Sequence, residues 1–204
     1  MIRSLRLSLS LLFLAVLAAC GAPTDLSEPV EPLGDFRLGY NIVVAKNATS
    51  AGPLSRKATP EEWESLLKQT IQDRLGRYEG SRLYHLGVNV DGYILAVPGV
   101  PVVASPKSGL VITVNVWDDA KGKKINEPKQ ITVLEQLSGE TIVGSGLTQS
   151  RETQMQNLAL NAAQAIENYL RRNPQWFEAG ADAAPHPAAA PVSGEAAGTA
   201  ATSN

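Results

Sequence analysis

The sequence predicts an α+β domain: an antiparallel sheet of four to five strands with two helices packed on one face, in the order β-α-β-β-β(β)-α. Three observations point there. Several stretches alternate apolar and polar residues with period two, two others repeat apolar residues at helical spacing, and turn-forming clusters separate them. A sheet that is apolar on one face and two amphipathic helices bury those surfaces most simply against each other.

Each element has its own signal. In "FRLGYNIVV" the residues Phe36, Leu38, Tyr40, Ile42 and Val44 share a face, opposite Arg37, Gly39 and Asn41, which reads as a half-buried strand. "TPEEW" follows a polar loop. Thr59 as N-cap, Pro60 at the first helical position and Glu62 three after the cap form a capping box. Trp63, Leu66, Leu67, Thr70, Ile71 and Leu75 then recur at helical spacing, with Gly76 as the stop.

"YHLGVNV" alternates again, Tyr84, Leu86, Val88 and Val90 opposite His85, Gly87, Asn89 and Asp91, and Gly92 suggests a bulge within a strand continuing to Leu95. In "GLVITVNVWDD", Leu110, Ile112, Val114 and Val116 point inward and Thr113, Asn115 and Trp117 outward. Turn chemistry centres on Gly122, and the adjacent acids Asp118 and Asp119 read as solvated. "QITVLEQ" and "ETIVGSG" form a hairpin around Ser138-Gly139. From Ser150 the second helix runs to Asn173-Pro174, with Met155, Leu158, Ala159, Ala162, Ile166 and Tyr169 on its core face, and Trp176 and Phe177 fold back to close the layer.

The N-terminus carries the clearest functional signal. Arg3 and Arg6 precede an apolar run from Leu7 to Leu17, far short of the ~20 residues a spanning helix needs. Leu17, Ala18, Ala19 and Cys20 follow, and Cys20 is the chain's only cysteine, so neither an intrachain disulfide nor a thiolate zinc site can form. Leu17-Ala18-Ala19-Cys20 resembles the bacterial lipobox. The resemblance implies signal-peptidase recognition through Leu17, Ala18 and Ala19, then covalent diacylglyceryl and N-acyl groups on Cys20. It implies no other cofactor. Gly21, rather than the aspartate of enterobacterial inner-membrane retention, implies the outer membrane, on its periplasmic face. Two or more acyl chains hold a protein to a bilayer stably where one does not.

The chain then divides into a signal peptide, 1–19; a lipidated N-terminus and flexible tether, 20–34; an α/β domain, 35–177; and an Ala/Pro-rich tail, 178–204, disordered by composition. Losing 1–19 removes two arginines and no acid, so the net charge moves from −2 to −4. With no basic patch, nucleic acid is not an expected partner. His186 lies between alanine- and proline-rich stretches of the tail and reads as solvated.

One connecting stretch is unusually apolar. "AVPGVPVVASPKSG" places Val97, Val100, Val102 and Val103 among Pro98, Pro101 and Pro106, which bar a regular central strand. These valines are the candidate partner or ligand contacts, against the plainer reading in which the loop buries them over an open sheet end. No metal set is apparent, no Gly-x-Ser-x-Gly elbow is present, and no glycine-rich phosphate loop feeds a helix, so the chain reads as non-enzymatic.

The element order, lipobox and size resemble the small α/β lipoproteins of Gram-negative envelopes, among them the lipopolysaccharide-assembly and ABC-transport auxiliary lipoproteins. "GSGLTQSRETQMQNLALNAAQAIENYLRRNPQWF", about a sixth of the chain, is similar to the C-terminal half of an uncharacterised alphaproteobacterial lipoprotein family. The resemblance implies an accessory or interaction subunit of an envelope assembly or transport complex, anchored to the membrane by its lipid. The alternative is a module that binds a lipid or other apolar ligand between sheet and helices. A closed apolar pocket favours the second, an uncovered edge or flat apolar patch the first.

Overall fold

A computed structural model of the chain describes residues 26, 29–52, 55–97, 108–135 and 150–178. The elements are β1 (Arg37–Val44), β2 (Thr49–Ser50), α1 (Pro60–Leu75), β3 (Leu83–Ile94), β4 (Gly109–Asp118), β5 (Lys123–Lys124), β6 (Lys129–Leu134), α2 (Arg151–Arg171) and a 3-10 turn at Pro174–Trp176. They form an open six-stranded sheet with two helices, the α+β class expected. The short β2 and β5 account for the higher strand count. The second half of the expected hairpin, 136–149, lies outside the described residues.

The sheet is mixed rather than antiparallel throughout. β4 pairs antiparallel with β3, β5 and β6, but β1 and β2 run parallel to β3. The cause is the 16-residue helix α1, which carries the chain from the β1–β2 edge back to the start of β3. Parallel neighbours need such a crossover.

Both helices cover one sheet face. Tyr84, Leu86, Val88 and Val90 of β3 and Leu110, Ile112, Val114 and Val116 of β4 are buried against Trp63, Leu67, Ile71, Leu158 and Ile166. The helices run in the same direction, as three cross-links show: Glu62 with Arg151, the Thr70 hydroxyl donating to the Ala159 carbonyl (3.3 Å), and Arg74 with Glu167. Ala159, Ala162 and Ala163 are fully buried, and their small side chains let α2 approach closely.

The N-terminus of α1 follows from its capping box. The Thr59 hydroxyl accepts from the Glu62 amide (3.2 Å), and the Glu62 carboxylate accepts from the Thr59 amide (2.7 Å). The same carboxylate holds Arg151 of α2 at 2.5 Å, locking the two helix starts together. The bond from Arg151, reinforced by the Thr59 amide, brings the Glu62 carboxyl down to about 2. At the other end Gly76 is right-handed, and its missing side chain is needed because a Cβ would strike the Gln72 carbonyl at 2.6 Å.

Two charged clusters lie within the layer. The Glu167 carboxylate accepts from Arg74 at 2.7 Å and from the Tyr78 hydroxyl at 2.5 Å, with Arg171 3.6 Å away. Asp118 is not solvated as its sequence context suggests: it is 1% exposed and bonded to Arg82 (2.8 Å) and Lys121 (3.2 Å). Phe177 closes the core as expected, packed on Phe36 and Tyr84.

The expected tether is not wholly free. Leu33 is 5% exposed and Val30 packs on the core, so residues 29–34 run as a strap across the end of the domain where both helices finish.

Candidate functional site

The face of the sheet away from the helices has no covering element among the described residues. Its side chains follow from strand alternation and register. Tyr40, His85, Trp117 and Lys124 make one row across β1, β3, β4 and β5; Ile42, Gly87 and Asn115 make the next; Val44, Asn89, Thr113 and Gln130 the third. Tyr40 is 71% exposed, Ile42 58%, Val44 39%, Trp117 46% and Leu134, on β6, 57%. These are large apolar side chains left in water on one face.

For β1 this reverses the sequence expectation. Tyr40, Ile42 and Val44 were to point inward with Phe36 and Leu38. Instead Asn41, Val43 and Ala45 are buried, because a register shift between Leu38 and Asn41 inserts an extra residue. Such a bulge moves every later side chain to the opposite face.

His85 stabilises the bulge. The Tyr40 amide, which has left the ladder, donates to His85 Nδ1 at 2.8 Å. Because Nδ1 accepts, the ring proton sits on Nε2 and is donated to the Asp119 carboxylate at 2.9 Å. The imidazole packs over Gly39, where any Cβ would run into the ring, and the Tyr40 ring lies 4.9 Å from it. Gly39 therefore serves close approach, and its place in "RLGYN" is the one sequence signal that could have disclosed the bulge.

The lower part of the face is polar and internally bonded. The Asp91 carboxylate accepts from Asn89 (2.6 Å), Thr113 (2.6 Å) and Gln130 (3.2 Å). Asp91 is itself the extra residue of a second bulge, between Val90 and Gly92, as the glycine at 92 suggested. Three neutral donors leave this carboxylate held rather than reactive.

The arrangement offers shape and apolar area. His85 is bonded to a carboxylate and a backbone amide, with no hydroxyl or thiol in that pair to activate. Among the described residues no three His, Cys, Asp or Glu side chains are placed to hold a metal ion. Between sheet and helices the space is filled by Leu67, Ile71, Leu86, Ile112 and Leu158. A groove of about 640 Å³ opens between the helix starts, walled by Glu62, Leu66, Arg151 and Met155, and it is open to solvent.

Of the contacts expected from sequence, Val97 is half-buried at the end of the sheet beyond β3. Val100, Val102 and Val103, and the lipobox residues Leu17, Ala18, Ala19 and Cys20, lie outside the described residues. No helix among the described residues is long and apolar enough to cross a membrane. Sequence patterning placed Trp117 on the open face and missed Tyr40, Ile42, Val44 and Leu134.

No protein-family model and no curated protein matches the chain. Solved structures do resemble it. One, described as a lipoprotein of Caulobacter crescentus CB15, is 16% identical, with 69% of this chain and 93% of that one covered and a TM-score of 0.36. A Xanthomonas campestris protein of the DUF330 family is 11% identical, with 70% and 93% covered and a TM-score of 0.35. A minor lipoprotein of Acinetobacter baumannii is 21% identical, with 63% and 94% covered and a TM-score of 0.28. Two of these three similar proteins are lipoproteins by description, and scores this low decide nothing about activity or partner.

Proposed function

We propose that this chain is a lipoprotein, acylated on Cys20 and held on the periplasmic face of the outer membrane, that serves as a non-enzymatic accessory subunit of an envelope assembly or transport complex. The signal at Leu17–Cys20 supports the anchor. The open sheet face carries the interaction reading: Tyr40, Ile42 and Val44 on β1 and Trp117 on β4 stand in water on one face, with His85 of β3 between Tyr40 and Trp117, and large apolar side chains exposed together in this way mark a protein contact. Their neighbours Gly87, Asn115 and Asn89 are small or uncharged, and the charged Lys124, Asp119 and Asp91 stand at the margins of the apolar residues, as a polar rim does around a protein contact.

The test is photo-crosslinking in living cells from a reactive amino acid at position 117 in the lipidated chain. A discrete protein adduct that disappears in an Ile42→Asp background supports docking through this face. Crosslinks to phospholipid alone transfer the function to lipid binding, and no adduct at all refutes the face as the contact. Cys20→Ala tests the anchor separately: normal membrane fractionation of that variant would remove the lipoprotein reading.

A further inference from the structure

The strap determines which end of the domain faces the bilayer, an inference that rests on the acylation of Cys20. It is pinned at successive points. The Leu26 carbonyl accepts from Arg77 at 2.7 Å, Glu31 reaches Arg171 at 3.4 Å, Leu33 enters the core, and the Asp35 amide donates to the Phe177 carbonyl at 2.8 Å. Gly34 makes this turn at φ 92°, where a side chain would be strained and would meet the Phe177 carbonyl at 2.7 Å. Among the described residues, the pinned one nearest the anchor is therefore Leu26. Five residues, 21–25, separate it from Cys20, six steps of chain with a reach of at most about 20 Å.

Every pinning point lies at one end. β1 and β3 begin there and α1 and α2 finish there, around Phe36 packed on Tyr78 (5.7 Å), Tyr84 (5.5 Å) and Phe177 (5.2 Å). The opposite end holds the helix starts, where Glu62 pairs with Arg151. α2 alone has 21 residues and spans about 31 Å. An inverted domain would place Leu26 that far from the membrane, beyond the reach of its own anchor.

The geometry points to the lipid headgroup surface as the partner of the strap end, with the helix starts and the flanks of segment 98–107, Val97 and Ser108, directed away from the membrane. Exposed Arg172, Lys121 and Lys123 at the strap end are matched by exposed Glu31, Glu79 and Glu178. Chain reach, not charge, sets the orientation, and the orientation is insensitive to salt.

The chain's single cysteine is consumed by acylation, so one introduced thiol can carry one dye. The lipidated full chain, as Arg172→Cys or as Glu61→Cys, is labelled with a donor and reconstituted into phosphatidylethanolamine–phosphatidylglycerol vesicles bearing an acceptor lipid. Energy transfer from position 172 is expected to exceed that from 61 by about twofold or more, given the helix lengths between them. The excess should persist in high salt. A flexible insertion of about twenty residues after Ala22, which roughly quadruples the reach, should make the two transfers converge. Equal or reversed transfer without the insertion overturns the orientation while leaving the anchor intact. An excess that survives the insertion, or vanishes in salt, overturns the strap as its cause. A chain that does not partition with the vesicles overturns the anchor, and the orientation with it.

Discussion

Replacing Glu167 by alanine removes the acceptor of a buried cluster. Arg74 and Glu167 are each about 5% exposed, and the carboxylate also accepts from Tyr78, whose hydroxyl receives a bond from Arg171 at 2.9 Å. Glu167→Ala leaves the Arg74 guanidinium charged and unpaired inside the helix layer. Breaking a buried pair in this way costs about 3–5 kcal/mol. For a domain of this length each kcal/mol moves Tm by roughly 3 °C, so the loss is about 10–15 °C. Thermal and urea unfolding by circular dichroism measure it. The companion double variant, Arg74→Met with Glu167→Leu, removes both charges and should recover most of the loss. A single-variant loss below about 1 kcal/mol, or a double variant no better than the single, refutes the argument. The pH dependence has a definite sign. Burial pushes the Glu167 carboxyl up, but the bonds from Tyr78 and Arg74 outweigh it and hold the group below its ordinary range. Its contribution is therefore complete above the unfolded value near 4.5 and is lost as the pH falls through the lower folded value.

Other substitutions test separate steps. Gly39→Ala drives a methyl into the His85 ring, and overpacking of this kind costs about 1–3 kcal/mol; the Tyr40 amide resonance should shift as its bond to Nδ1 breaks, and an unmoved resonance would count against the bulge. Thr59→Ala removes the α1 cap at a cost of about 1 kcal/mol, read from the urea midpoint. Because the Glu62 carboxyl titrates near 2 when folded, its link to Arg151 contributes above about pH 4.5 and is lost toward pH 2; acid titration of wild type against Glu62→Gln should diverge in that interval, and parallel curves would refute the coupling. Tyr40→Ser changes a side chain that is 71% exposed on the open face, so stability should stay within about 0.5 kcal/mol while crosslinking from position 117 is lost.

How far the sequence disclosed this fold depends on how local each signal is. α1 was legible to the residue, since Thr59, Pro60 and Glu62 are within three positions of one another. The central strands were legible because β3 and β4 alternate cleanly, and their pattern fixed Trp117 on the open face. β1 was not. Its phase depends on contacts distant in sequence, an imidazole 45 positions away that accepts the Tyr40 amide and the polar bonds from α1, and alternation alone cannot reveal an extra residue. Its parallel pairing with β3 was equally hidden, because a strand's own residues do not record its neighbour's direction. Asp118 looked like a turn residue because its partner Arg82 lies 36 positions earlier, and Arg74 pairs with Glu167 93 positions away, a match that no local pattern marks. Long-range polar pairing is what composition and period leave out.

β1 also explains why so much apolar surface remains outside. A slip of one residue would turn Tyr40, Ile42 and Val44 inward and Asn41 outward, at first sight the better burial. The structure opposes that slip with specific polar contacts from α1. Asn41 donates to the Lys68 carbonyl at 2.9 Å, and the Ala45 amide donates to the Glu64 carboxylate at 2.8 Å. Small or short side chains at 41, 43 and 45 let the helix lie close enough for both bonds, where a tyrosine and an isoleucine would hold it off. The helix thus selects the register, and the displaced aromatic and branched residues are left on the open face. Exposing Tyr40 and Ile42 forfeits roughly 1.5–3 kcal/mol for each side chain relative to full burial. A partner that covers the face, as proposed, would recover much of that loss, so the same register that seats α1 would also supply the driving force for the proposed docking.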